Sequence, residues 1–170
     1  MKRFAGWLFD LYAHPTRGIL LWLIGEDGKA FQFHQDFEIL FYAYGPHPRL
    51  HELGMYLRTK YSKREVRLER AAKEDLFASS REVLGVGISN MNLYKSLFQE
   101  VQENFSDLIF YNVDVPLTVR YAAACDVFMM ALCEVIAEAD GRIISIQALD
   151  TPYELDPKLP NLKMLILKPD

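Results

Sequence analysis

The sequence has 170 residues, long enough for one ordinary domain or two small ones that bury a sizeable core. With 51% apolar and 25% charged residues it has the composition of a globular protein, which excludes disordered and fibrous classes. A net charge of −4 excludes a uniformly basic nucleic-acid coat but not a local basic patch. No apolar stretch reaches the roughly 20 residues of a membrane span, and Cys125 and Cys133 are too few for a disulfide framework. We therefore expect a soluble, cytoplasmic protein without a membrane partner.

Residues 1–36 predict an antiparallel β meander. Apolar runs at residues 7–12 and 19–24 flank a turn-rich joint, which is typical of a hairpin. Asp27-Gly28 supplies the positive φ values of a tight turn, and Phe31 and Phe33 then alternate onto one face of a third strand.

Residues 37–126 predict a ferredoxin-like α+β unit. Its elements are, in order, a strand at residues 37–44, a helix around 50–57, strands at 64–70 and 82–88, a helix over 91–101 and a strand at 108–111. This β-α-β-β-α-β order places two helices on one face of an antiparallel sheet. A short helix is expected to begin at Pro116, since proline suits the first helical position.

Residues 127–170 predict a β-hairpin, a linker and a final strand. The hairpin joins residues 127–136 to residues 143–146 through Asp140-Gly141. Three prolines exclude a helix or central strand over residues 151–161. A last apolar strand, residues 162–167, would leave an exposed sheet edge or apolar patch, which suggests a fragment cut where another domain begins.

No constellation of residues predicts a catalytic centre, a metal site or a bound cofactor. His47 and His51 are separated by Pro48 and have no acidic third ligand nearby, which favours capping or solvated roles. Gly85 and Gly87 lack the third glycine of a phosphate loop and lie within a predicted strand, so we interpret them as close packing points. The carboxylates are scattered without evident pairing, among them Asp36, Asp75, Asp107 and Asp114.

Residues 58–73, here called the basic segment, are the candidate nucleic-acid-binding site. Their only acids are Glu65 and Glu69, and Tyr61 could stack on a base. The cationic side chains are Arg58, Lys60, Lys63, Arg64, Arg67, Arg70 and Lys73. The alternative is that the segment is a solvated helix end and an edge strand kept soluble by its charge. A base-stacking sheet with Phe41 and Tyr42 is disfavoured because residues 81–88 contain no aromatic side chain.

The phrase DVPLTVRY, residues 114–121, resembles the phrase that closes the N-terminal domain of family B DNA polymerases of the archaeal and related bacterial kind. The phrases LFDLY, ILLWL, EDGK, FEILFYA and LPNLKMLIL follow the family's order over nearly all of the chain. The structural residues of the shared phrase are Asp114, Pro116, Arg120 and Tyr121.

The resemblance implies a non-catalytic domain that packs against the exonuclease and palm domains of a longer chain and guides single-stranded template DNA in replication or repair. The parent protein would be a DNA-directed DNA polymerase, a nucleotidyltransferase that uses Mg²⁺, and residues 162–167 would lead into its exonuclease domain. This chain alone would need no cofactor.

Two positions depart from the family. Of the template-uracil pocket of archaeal members only Pro116 and Arg120 have counterparts, so uracil sensing is not expected. Residues 168–170 read Lys-Pro-Asp where the first exonuclease motif has Asp-Ile-Glu. The alternative function is a small-molecule-binding regulatory domain of ferredoxin-like fold, which would require an apolar pocket.

Overall fold

The computed structural model describes residues 1–75, 78–89, 91–162 and 166. The predicted α+β class is confirmed, with two antiparallel sheets and helices in the same chain. In chain order the elements are β1 (Lys2–His14), β2 (Gly18–Ile24), β3 (Ala30–Gln35), β4 (Ile39–Tyr44), α1 (His47–Lys60), β5 (Val66–Asp75), β6 (Ala78–Ile88), α2 (Met91–Asn104), β7 (Ile109–Tyr111), α3 (Leu117–Cys125), β8 (Leu132–Ala137) and β9 (Ile143–Ala148).

The chain divides into two compact units. The first unit combines Met1–Asp36 with Leu117–Asp170, and the second unit is Phe37–Pro116. The ranges predicted from the sequence were 1–36, 37–126 and 127–170. In the structure α3 packs against β1 and lies in the first unit.

The first unit is built on a five-stranded sheet with the order β3-β2-β1-β8-β9. The predicted meander and the predicted hairpin are both present, and they join into one sheet because β1 pairs with β8 from Lys2↔Ala137 to Trp7↔Leu132. Lys2 and Arg3 are charged, so the apolar pattern alone did not extend β1 that far. The β1–β2 turn needs Gly18, whose φ is 69° and whose added Cβ would lie 2.9 Å from the Cα of Asp36.

The second unit has the predicted ferredoxin-like topology. Its sheet order is β5-β6-β4-β7 with every pairing antiparallel, which is the split βαβ arrangement. Phe41 is fully buried and its ring lies 5.4 Å from that of Phe98 on α2, so the helix side of the sheet is its apolar side. The β5–β6 hairpin is longer than predicted, since Ala71, Lys73 and their partners continue the ladder without an apolar pattern.

Of the three segments predicted over residues 127–170, the first differs from the structure in where its strand begins. The strand expected over residues 127–136 begins only at Leu132, because Asp126 (φ 52°) and Met130 (φ 67°) interrupt the extended backbone. Residues 151–161 form no helix or strand, as the prolines indicate, yet the Trp7 indole donates to the Lys158 carbonyl at 2.7 Å. The predicted last strand and its apolar patch lie largely outside the described residues, which include only Leu162 and Ile166 of that stretch.

No helix within the described ranges combines the length and the apolar character needed to traverse a bilayer.

Candidate nucleic-acid interface

The basic segment runs from the last turn of α1 through a loop into the edge strand β5, and its side chains do not form one surface. Successive residues of a strand face opposite sides of the sheet. Arg70 pairs with Leu84, which faces α1 next to Gly54, so Arg70 lies on the helix side of the sheet. Arg67 and Lys73 lie on the opposite side, here called the outer face.

Arg67 is held by carboxylates on the outer face. Its guanidinium donates to both carboxylate oxygens of Glu38, at 2.9 Å and 2.6 Å, and also donates to Glu69. These bonds raise the pKa of Arg67 above its ordinary value, with the hydrogen bond to Glu38 as the largest cause. Much of the charge of Arg67 is therefore neutralised within the unit.

The glycines of β6 make room for the side chains on the outer face. An added Cβ on Gly87 would collide with the carboxylate of Glu38, and one on Gly85 would lie 2.8 Å from the Cγ of Glu69 and 3.3 Å from the Tyr42 ring. The interpretation of Gly85 and Gly87 as close packing points is confirmed.

Lys60 and Tyr61 connect the end of α1 to α2. The Lys60 ammonium and the Tyr56 hydroxyl donate to Glu100, and the Tyr61 hydroxyl donates to the same carboxylate at 3.2 Å. The hydrogen bond from Lys60 is the main cause that lowers the pKa of Glu100, and the same bond raises the pKa of Lys60. Both residues proposed for the interface thus already have structural partners.

The other cations of the basic segment are more available to a ligand. Arg58, Lys63, Arg64 and Arg70 are exposed and form no ion pair or side-chain hydrogen bond with any residue that the structure describes. Lys63 and Arg64 lie in the loop between α1 and β5. Lys73 places its ammonium 5.2 Å from the centre of the Tyr42 ring.

The outer face also carries aromatic residues that the sequence analysis did not single out as a group. Tyr42 and Tyr44 on β4 lie opposite Tyr111 and Ile109 on β7. Arg81 lies 4.5 Å from the centre of the Tyr44 ring and donates to the Tyr111 hydroxyl at 2.9 Å. The period of two along residues 39–44 was the available signal, since it directs Phe41 inward and Tyr42 outward.

The residues of the DVPLTVRY phrase lie where β7 leads into α3. Asp114 is exposed, Pro116 immediately precedes α3, and Arg120 and Tyr121 belong to that helix. Tyr121 is fully buried, its hydroxyl donates to the Gln35 side chain at 2.5 Å, and burial raises its pKa. The structural role that the resemblance assigns to these four residues stays a prediction.

Among the described residues no group of three or more histidine, cysteine, aspartate or glutamate side chains is placed to hold a metal ion. His47 and His51 both lie within α1 and are exposed. The N-cap position of this helix is Pro46, so neither histidine is the capping residue.

The comparisons with known proteins give a fold and no sequence family. No family model matches the chain, and no curated protein matches it. The fold resembles part of a solved structure, the family B DNA polymerase from the hyperthermophilic archaeon Pyrobaculum calidifontis, with a TM-score of 0.65 and 15% identity. The match covers 87% of this chain and 21% of the polymerase, so this chain spans about a fifth of that protein's length.

Proposed function

We propose that the chain is an N-terminal, non-catalytic domain of a family B DNA polymerase, which packs against exonuclease and palm domains and guides single-stranded template DNA. The observation that carries the proposal is the fold similarity to an archaeal polymerase over 87% of the chain. The DVPLTVRY phrase, residues 114–121, supports it independently through its resemblance to the phrase that closes this domain in the family.

The proposed contribution of the chain is binding and positioning. Phosphate contacts fix the register of a strand without reading its sequence, which suits a template guide. Lys63 and Arg64 are the first candidates for such contacts, since they are exposed and unpaired within the described part of the chain. Arg67 and Lys60 would contribute less, because Glu38 and Glu100 already neutralise them.

Nucleotide transfer would belong to the rest of the parent protein. Two-metal catalysis needs carboxylates that hold Mg²⁺ ions and stabilise the attacking and leaving oxygens. The proposal assigns the Mg²⁺ of the parent polymerase to domains other than this one.

The test is fluorescence anisotropy with a labelled single-stranded oligonucleotide at low and moderate salt. Lys63→Ala/Arg64→Ala should bind more weakly than the wild type, and its slope of log affinity against log salt should be shallower by roughly 0.7 for each phosphate contact removed. Arg67→Ala should have a smaller effect on binding.

Lys2→Ala/Arg17→Ala is the matched control, since it removes the same charge from exposed positions of the first unit. If both double variants lose affinity equally, the contacts are not specific to the basic segment. If neither variant differs from the wild type, the template role of this segment is refuted.

A further inference from the structure

A groove of about 350 Å³ lies between α1 and the β5–β6 hairpin, within the second unit. Its apolar lining includes Leu50 of α1, Leu68 of β5 and Leu84 of β6. The volume is at the lower end of the range found for sites that hold small organic ligands.

The groove is bordered by cationic and hydrogen-bonding side chains. Arg58 and Arg70 line it, and both are exposed and make no ion pair or side-chain hydrogen bond with another described residue. His47, His51 and Arg58 share one face of α1, because their spacings are close to whole helical turns. An imidazole donates at least one N–H in either protonation state, and a guanidinium fork matches the oxygens of a phosphate.

The acids of the groove leave this positive character in place. Glu69 and Glu82 are its carboxylates, and Glu69 accepts a hydrogen bond from Arg67 on the outer face. The groove is therefore lined by two guanidinium groups, those of Arg58 and Arg70, and by one carboxylate without a described ion-pair partner, that of Glu82.

Gly54 lies on α1 between His51 and Arg58, which both line the groove. An added Cβ would meet only the Cδ2 atom of Leu84, another lining residue, at 3.9 Å. A glycine in a helix interior is unfavourable relative to alanine, and neither a positive φ nor a close backbone approach requires one here. We therefore explain the glycine at position 54 by the space that it leaves for a ligand beside Leu84.

We propose that this groove binds a phosphorylated small molecule, with its phosphate on Arg58 and Arg70 and its apolar or aromatic body against the three leucines. Arg70 is the strand partner of Leu84, and Arg58 lies one helical turn beyond Gly54 on α1; both arginines line the groove. Contacts to a nucleic-acid backbone are made to phosphate and sugar oxygens, and such contacts would leave the leucine lining of the groove without a partner. The proposal does not depend on the polymerase assignment.

The probes are adenosine 5′-monophosphate, inorganic phosphate and adenosine, added to the whole chain in thermal unfolding and calorimetric titrations. Adenosine 5′-monophosphate should raise the unfolding midpoint in a concentration-dependent way, and the rise should exceed that caused by inorganic phosphate or by adenosine at the same concentration. Arg70→Gln should weaken its binding at least about tenfold, as expected for a lost charge-assisted hydrogen bond.

Gly54→Leu tests the shape of the site separately from its charge. It should raise the unfolding midpoint of the free protein, since leucine is the better helix former, and should abolish the shift caused by the nucleotide. Lys95→Gln, which removes an exposed charge from α2 away from the groove, should leave the nucleotide affinity at the wild-type value.

The outcomes separate this proposal from the template role. If neither the nucleotide nor phosphate shifts the midpoint at millimolar concentration, or if Gly54→Leu binds as the wild type does, the groove proposal is overturned. An oligonucleotide that binds in a Lys63-dependent way would then still support the template role. If the wild-type chain binds the nucleotide and only Arg70→Gln and Gly54→Leu lose that binding, the groove proposal is supported, whether or not the oligonucleotide binds.

Discussion

Glu100 joins α2 to the end of α1 by accepting hydrogen bonds from Lys60, Tyr56 and Tyr61. Because these donors favour the charged carboxylate, the pKa of Glu100 lies below its usual 4.5 in the folded protein. A carboxylate with a lowered folded pKa stabilises the fold above its unfolded pKa, and the contribution disappears as the pH falls through the folded pKa.

We predict that Glu100→Gln lowers the unfolding midpoint at pH 7 and that its difference from the wild type shrinks as the pH falls below about 4.5. Urea unfolding at neutral and acidic pH measures this. Glu154→Gln is the control, since Glu154 is exposed and forms no side-chain bond with a described residue. A difference that is the same at both pH values would show that Glu100 acts through packing and not through its charge.

The partners of the basic segment illustrate what a sequence conveys about single residues. The charge cluster itself was apparent from the sequence, and so was a strand over residues 64–70, in which neighbouring residues face opposite sides. The bond of Arg67 to Glu38 spans 29 positions and that of Lys60 to Glu100 spans 40, so neither follows from local spacing. Which cations remain available to a ligand therefore became known only from the folded arrangement.

Among the elements, β4 and α2 form the apolar centre of the second unit. Phe41 is fully buried, and its ring centre lies 5.4 Å from that of Phe98, 6.1 Å from that of Phe110 and 6.3 Å from that of Tyr94. Edge-to-face contacts of this kind add to the burial of the rings themselves.

We predict that Phe41→Ala lowers the free energy of unfolding by about 3–5 kcal/mol, because it removes buried apolar surface and leaves a cavity. Met55→Ala on α1, where the side chain is 50% exposed, should cost less than about 0.5 kcal/mol. Denaturant unfolding followed by tyrosine fluorescence and circular dichroism compares the two variants. Similar losses for both would mean that the Phe41 cluster is not the core of this unit.

The elements were predictable where local patterns decide them. The strand that became β4, the helix α2 and the Asp140-Gly141 turn between β8 and β9 each appear in the structure as predicted, to within two or three residues at their ends. The outer part of the β5–β6 hairpin was missed because Ala72↔Glu82 and Lys73↔Arg81 pair without a buried face. The β1–β8 pairing was missed because it joins strands more than a hundred residues apart, and no local pattern specifies such a partner.

In the whole molecule, the second unit is inserted between the two halves of the first. The strands that open and close this unit, β4 and β7, are neighbours in its sheet, with Tyr42 paired to Tyr111. Such closeness of the first and last elements is common for domains that tolerate insertion or excision.

We predict that residues 37–116, produced alone, fold cooperatively. All four strands of the second sheet and both of its helices lie within this range. A single denaturant transition that coincides for circular dichroism and fluorescence, together with dispersed amide resonances, is the expected result. A fragment without a cooperative transition would show that the second unit needs the first for its stability.

The pairing of β1 with β8 also sets an order of events during synthesis. The ribosome completes the second unit at Pro116, when β1 still lacks its partner, so the unit that contains β1 finishes folding last. Until β8 is made, residues 2–7 of β1 present an open row of backbone groups to other nascent chains on the same message. Lys2 and Arg3 lie along that open edge, and charges of this kind discourage the pairing of one nascent chain with the next.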